Sequence, residues 1–296
     1  MSTSDRVLER VHSVNPFKNR EAHSRGSIIA YKICTVVTWL VLVVTSFYYT
    51  FNKPHEGKHK RRTIWGQNKH HATPFALNAI ITSIYWIVLF ISQIGYVWHL
   101  FASNVDVVYA AANVGSHFIF NNLLYFGFVM LWVRSYFWLA ELLLVINFVN
   151  LTTLYFRHPT APLAIHVPVV SGPLAFNNVA IFWVGAAAVN AHSLAARIVA
   201  NVFVWEFLTY GAFYLFAFKD YSMGFAMSVL TAALGTSQFL THVVALQWIF
   251  AFVIMAILFV VSFGVAVPSV AGGTFKFGRE EHVVSEDVER APLLAE

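Results

Sequence analysis

The chain has 296 residues, 58% of them hydrophobic and 11% charged, with a net charge of +5. A soluble domain carries about 25% charged residues, so this chain lacks the polar surface such a domain needs. Its single cysteine, Cys34, excludes an intrachain disulfide.

Apolar runs of roughly 20 residues or more recur from end to end, the length needed to cross a bilayer. The expected fold is all-α, a polytopic transmembrane helical bundle of about eight spans, with seven possible. It divides into a polar basic segment at 1–27, a bundle at 28–267 and a flexible acidic tail at 268–296. The runs are continuous rather than alternating, which favours helices over a β-barrel. The first apolar run is too long for a cleavable signal core, so it reads as an uncleaved signal anchor.

In chain order the expected spans are 28–51, 75–102, 114–133, 136–157, 173–192, 195–218, 221–241 and 243–267. The basic stretch "NKPHEGKHKRRTIWGQNKHH" (52–71) lies between the first two, and the other basic cluster lies in the first 27 residues. Such segments beside spans meet anionic lipid headgroups, and nucleic acid is not the expected partner. The histidines at 55, 59, 70 and 71 read as a solvated loop rather than a metal site. The Lys and Arg balance between the two sides is too even to fix orientation.

The third span carries His117 and Asn121 at helical spacing, with Asn122 beside them. These read as interhelical contacts or as polar lining for a solute. At the junction of the third and fourth spans, Arg134 reads as an interface anchor that can snorkel to headgroups or reach an ion-pair partner. Glu141 lies about two turns deep in the fourth span, too far from Arg134 for direct contact. A carboxyl at that depth needs a partner, water or a function. Asn147 and Asn150 point to other sides of the same helix.

The connection "RHPTAPLAIHVPVVSGP" holds four of the nine prolines and is apolar for a loop. It is expected to be irregular, lying in the interface or folded back against the bundle, as a surface loop before a gate. The fifth span offers Ala187, Ala191 and Ala195 as a small-residue packing array. In the sixth, Arg197, a candidate ion-pair partner or interface anchor, shares one face with Asn201, while Glu206 shares another with Thr209 and Tyr210. Glu206 reads either as a structural lock with Tyr210 or as a proton-binding carboxyl. The end of the seventh span, "AALGTSQFLTHV" (232–243), is polar enough to suit a broken helix or a wide turn in place of a regular span. "PFALNAI" from Pro74 and "PLAFNNVAI" from Pro173 share a short likeness that would suit an inverted repeat.

In the tail, Glu289 followed by Leu293 and Leu294 fits an acidic dileucine pattern that resembles sorting signals read by cytosolic coat adaptors. This favours a cytosolic C-terminus and an endosomal or vacuolar membrane, with plasma membrane and endoplasmic reticulum as alternatives. "NPF" at 15–17 resembles an endocytic tripeptide.

No HExxH, GxSxG or P-loop motif is present. No lysine lies between 220 and 267 to form a retinal Schiff base. No cofactor, metal or catalytic set is expected, and a non-enzyme is favoured. The stretches "NPFKNREAHSRG", "RRTIWGQN", "FNNLLYFGFVMLWVRSYFWLAELLLVINFVNLTTLYFRHP" and "VALQWIFAFVIMAILF" resemble a fungal family of multi-pass membrane proteins classed as a domain of unknown function. The resemblance covers most of the chain and implies no substrate or site.

Two functions fit these residues. One is a proton-linked transporter or permeability-controlling protein for a small solute, with Glu141 and Glu206 as protonation sites and His117, Asn121, Asn122 and Asn201 as polar lining. The other is a noncatalytic membrane organiser or trafficking protein acting through its tail. A membrane-embedded enzyme ranks third.

Overall fold

The computed structural model describes residues 23–55, 61–158, 162–241 and 246–270. The NPF tripeptide, His59 and the sorting residues Glu289, Leu293 and Leu294 lie outside these residues. The described residues form helices joined by short connections, with no strand among them.

The helices are α1 (Arg25–Phe51), α2 (Ile64–His70), α3 (Ala79–Leu100), α4 (Val105–Trp132), α5 (Phe137–Arg157), α6 (Leu163–His166), α7 (Gly172–Ala188), α8 (Leu194–Phe203), α9 (Glu206–Phe218), α10 (Tyr221–Leu240) and α11 (Gln247–Val270). A π-helical turn, Val167–Ser171, welds α6 to α7. Taken as spans, with α6–α7 and α8–α9 each one crossing, eight are long and apolar enough to cross a membrane.

Short polar residues set where the helices begin. Ser24, Thr63, Asn78, Asn104, Ser193 and Asp220 each accept a backbone N–H of the first turn that follows. These are the residue types that satisfy the orphan donors of a helix N-terminus. The outer faces of α1 and α3 are stripes of exposed apolar residues, among them Ile29, Ile33, Val37 and Val44 on α1 and Ile80, Ile84, Val88 and Ile91 on α3. Exposed apolar stripes of this length belong against hydrocarbon. The architecture is that of an integral membrane bundle.

With eight crossings, residues 23 and 270 fall on one side, called face B. Residues 52–55 and 61–63, α2 and the turns at 133–136 and 189–193 fall on the other, face A. On face A, α2 is pinned to the α4–α5 turn: Gln67 Nε2 donates to Trp132 O (3.1 Å), and Trp132 Nε1 donates to Ile64 O (3.1 Å). The most extensive helix pairing is α10 on α11. A methyl group at Gly224 would collide there with Ser262 Oγ and Leu215, so glycine sets the approach.

Four expectations are corrected. The third span begins at Val105 rather than 114, because Asn104 caps it and Asp106 sits in its positive first turn. The proline-rich connection is not an irregular gate. From Leu163 it is helical, and from Ile165 it is mostly buried, since Pro162 flanks the start and the π turn absorbs Pro168 by passing the Gly172 N–H to Val167 O. The seventh span, by contrast, stands close to its expected bounds of 221–241, with α10 unbroken from Tyr221 to Leu240. Ala187, Ala191 and Ala195 do not form one array, because the chain leaves the helix at Val189 and Asn190 takes φ 54°. The "PFALNAI" and "PLAFNNVAI" likeness is also not structural: Asn78 caps α3, whereas Asn177 and Asn178 lie inside α7.

Candidate functional site: a file of polar side chains across the bundle

Helix α7 is the centre of the bundle, with Leu174, Ala175, Val179, Ala180 and Val184 almost fully buried. One side of it meets α5, and their side chains join α4 in a hydrogen-bonded cluster. Asn147 Nδ2 donates to Asn121 Oδ1 (2.9 Å) and Asn177 Oδ1 (3.1 Å), and its Oδ1 accepts from Asn150 Nδ2 (3.3 Å). Asn177 Nδ2 donates to Leu144 O, and Asn150 Nδ2 to His117 O. His117 Nδ1 lies 2.8 Å from Asn150 Oδ1. Asn121 Nδ2 reaches Asn122 Oδ1 at 3.4 Å, while Asn122 Nδ2 is buried with no hydrogen-bond partner among the described residues. Three helices are therefore tied by amide side chains that have little alternative in hydrocarbon.

The two deep carboxyls come to another face of α7. Glu206, in the first turn of α9, accepts from Asn178 Nδ2 at 3.0 Å through Oε1, and its Oε2 is buried without a partner among the described residues. Glu141 of α5 lies against Gly185, where a methyl group would sit 3.4 Å from its Oε1, and its Oε2 is likewise without a partner. Asn178 and Gly185 are seven residues apart, so they share a face of α7, separated by about 10 Å along the axis. Glu141 is near face A and Glu206 is near mid-membrane. The expected lock between Glu206 and Tyr210 is not the bond formed, since Tyr210 O–H donates to Tyr214 (3.4 Å).

That bond continues the file towards face B. Glu206, Tyr210 and Tyr214 recur every fourth residue on α9, and the Tyr214 ring packs on Tyr155 of α5 with centroids 4.5 Å apart. Tyr155 O–H donates to Asp220 Oδ2 (3.0 Å), and His166 Nε2 lies 2.8 Å from the same oxygen. Asp220 Oδ1 accepts from Ser222 Oγ (2.5 Å) and Met223 N–H (3.0 Å). Ser222 in turn meets Ser171 Oγ at 2.9 Å. Burial alone would raise the Asp220 pKa. The hydrogen bond and charge of His166, with the Ser222 and Met223 donors, outweigh it and hold the carboxyl below its ordinary value.

Asp220, His166, Tyr155 and Tyr214 form no motif in the sequence. The available signals were an acid in the two-residue turn between α9 and α10, and the i, i+4, i+8 spacing of Glu206, Tyr210 and Tyr214.

The arginines act elsewhere. Arg197 is buried, and its guanidinium donates to Gln238 Oε1 (3.2 Å) and Ala72 O (2.8 Å). Gln238 Nε2 also donates to Thr73 O. Arg197 thus ties α8 to α10 and to the connection before α3, through neutral acceptors rather than at a lipid interface. Arg134 donates to Met130 O and reaches Tyr49 O–H, with its guanidinium over the Tyr49 ring. Asn201 is half-buried on α8, a helix that packs on α11. The kink between α8 and α9, tightened by Trp205 N–H to Val202 O and Phe207 N–H to Val204 O, puts Asn201 and Glu206 on different helices. No group of three His, Cys, Asp or Glu suited to a metal occurs among the described residues.

Residues 197–294 match the family model described as fungal protein of unknown function (DUF1774). The match takes in α8 to α11, and with them Glu206, Tyr210, Tyr214 and Asp220. It is narrower than the resemblance read from the sequence: of the four stretches that carried it, only "VALQWIFAFVIMAILF" lies inside. Comparison with curated proteins and with solved structures gave no match.

Proposed function

We propose that the protein carries protons across its membrane, linked to movement of a small solute. Glu141 near face A and Glu206 at mid-membrane are the protonation sites, and Asp220 with His166 is the terminal on face B. One observation carries this reading: protonatable side chains follow one another from Glu141 through Glu206, Tyr210, Tyr214 and Tyr155 to Asp220 and His166. Chains of acidic and histidine groups inside a membrane are costly, and proton relays are their usual use. The longer gaps, such as Glu141 to Glu206, need water to bridge them. A central helix interrupted by a π turn and two prolines supplies backbone that can shift locally.

The organiser reading has its own support, since the Asn121, Asn147, Asn150 and Asn177 amides bond to one another. The acidic dileucine pattern remains the ground for proposing an endosomal or vacuolar membrane and a coat adaptor as partner.

Carbodiimide labelling of the protein in native membranes across pH, mapped by mass spectrometry, separates the two. The relay predicts labelling of Glu206 that fades as pH rises and disappears in Glu206→Gln. If Glu206 stays unlabelled at every pH while exposed Asp106 reacts, the carboxyl is a sealed structural contact and the relay is wrong.

A further inference from the structure

A second site, independent of the polar file, opens sideways on the face A half. Helix α1 packs along α4 and touches α3 only sparsely. The gap between α1 and α3 is a cavity of about 400 Å³, floored by α4 and α7 and closed towards face A by α2. That is within the range of about 300–1,000 Å³ seen for small-molecule sites. Its wall is nearly all hydrocarbon and aromatic: Leu42 and Phe47 of α1, Trp86 and Phe90 of α3, and Trp183 of α7 stacked on Trp65 of α2 with centroids 6.1 Å apart. Phe51 and Ile80 stand at its edge and are 76% and 71% exposed, on the stripes that face hydrocarbon. The cavity therefore opens into the bilayer rather than into water.

Charge lies close to this wall along the chain. Arg61 precedes Ile64 of the cavity wall by three residues, and Arg62 N–H is fixed to Val133 O at 3.3 Å. Two nitrogens of the Arg61 guanidinium, Nε and Nη1, are buried and have no hydrogen-bond partner among the described residues. A charged donor sealed from water without an acceptor is strongly unfavourable. A phosphate oxygen pair is the acceptor that a guanidinium fork fits best.

We infer that the cavity between α1 and α3 binds one anionic glycerophospholipid of the surrounding bilayer, with an acyl chain among the aromatic walls and its phosphate on Arg61, where the cation of a zwitterionic headgroup would be brought against Arg61 and Arg62. An apolar chain alone would satisfy the walls and leave Nε and Nη1 of Arg61 without an acceptor. A soluble anion would satisfy Arg61 and leave the walls empty.

The test uses the full chain in nanodiscs of phosphatidylcholine and phosphatidylserine in equal amounts, followed by transfer to mild detergent and native mass spectrometry of retained lipid. One phosphatidylserine per protein is expected, preferred over phosphatidylcholine by about fivefold, the size of one lysine or arginine contact near an anionic surface. Arg61→Gln removes the preference and Arg61→Lys keeps most of it. Because residue 61 lies outside the helices, neither change threatens the bundle, which circular dichroism verifies. Ser83→Trp, which fills the cavity from α3, abolishes retention of both lipids, while Glu206→Gln leaves retention unchanged. Equal retention of the two lipids, an unchanged preference in Arg61→Gln, displacement by an added sterol, or no retained lipid would each overturn the assignment.

Discussion

Replacing Asn147 by leucine removes the amide that three others share while keeping the same branching of side-chain heavy atoms. Asn147 is fully buried and makes two donor bonds, to Asn121 and Asn177, and one acceptor bond, from Asn150. Interhelical side-chain hydrogen bonds in membrane bundles average about 0.6 kcal/mol each, with a maximum near 1.7. Three bonds therefore place the expected loss at about 2 kcal/mol, with about 5 kcal/mol as the upper bound. A loss of 2 kcal/mol lowers the folded-to-unfolded ratio roughly thirtyfold. Unfolding in bicelles with increasing dodecyl sulfate measures it. A double-mutant cycle with Asn177→Leu isolates the Asn147–Asn177 bond, because each single change removes that contact without adding a polar group. The cycle should return a coupling of at least about 0.5 kcal/mol. Additive losses, or an Asn147→Leu protein within about 0.5 kcal/mol of wild type, would refute the claim that these amides hold α4, α5 and α7 together.

Further predictions concern packing and pH. Gly224→Ala forces Ser262 Oγ and Leu215 away from α10, and should cost about 1–3 kcal/mol in the same unfolding assay. Its reciprocal, Gly224→Ala with Ser262→Gly, should recover part of that loss. His71, on face A outside the spans, has its pKa lowered from 6.5 to about 4, by burial first and then by the neighbouring His70, His192 and Arg62 charges. The folded state thus favours neutral His71. The resulting stabilisation is complete above the unfolded pKa of 6.5 and is lost as pH falls from there towards 4. Thermal melts in detergent should show a decline over that window, made shallower by His71→Asn. Asp220 is held below its ordinary value, so its contribution should persist at mildly acidic pH and fail only in stronger acid. Tyr155→Phe should narrow that margin by removing a donor to Oδ2.

The span pattern was legible because eight apolar runs carry their own length signal, which tertiary packing only trims. Where the reading failed, local polarity or proline outweighed the wider pattern. Asn104 and Asp106 look like loop residues but start α4, and Pro168 looks like a breaker but is taken up by a π turn. The site was legible one residue at a time. Glu141 and Glu206 stood out because charge in an apolar run is rare, yet nothing in their spacing revealed that both meet one face of α7. That depends on which helices are neighbours, and helical periodicity fixes only which residues share a helix face. Tyr155, His166 and Asp220 were missed for the same reason, since they come from α5, α6 and the α9–α10 turn. Gly185, which lets Glu141 approach α7, carries no chemical signal at all.

The most direct test of the relay is proton uptake by proteoliposomes under an imposed membrane potential, read with an internal pH dye. Wild-type protein should acidify the lumen well above empty liposomes. Glu206→Gln, which cuts the file at mid-membrane, should fall to that background while remaining folded by circular dichroism. Tyr155→Phe should reduce the rate by uncoupling Tyr214 from Asp220. Uptake by wild type no faster than by empty liposomes, or uptake unchanged in Glu206→Gln, would contradict a proton path through these side chains.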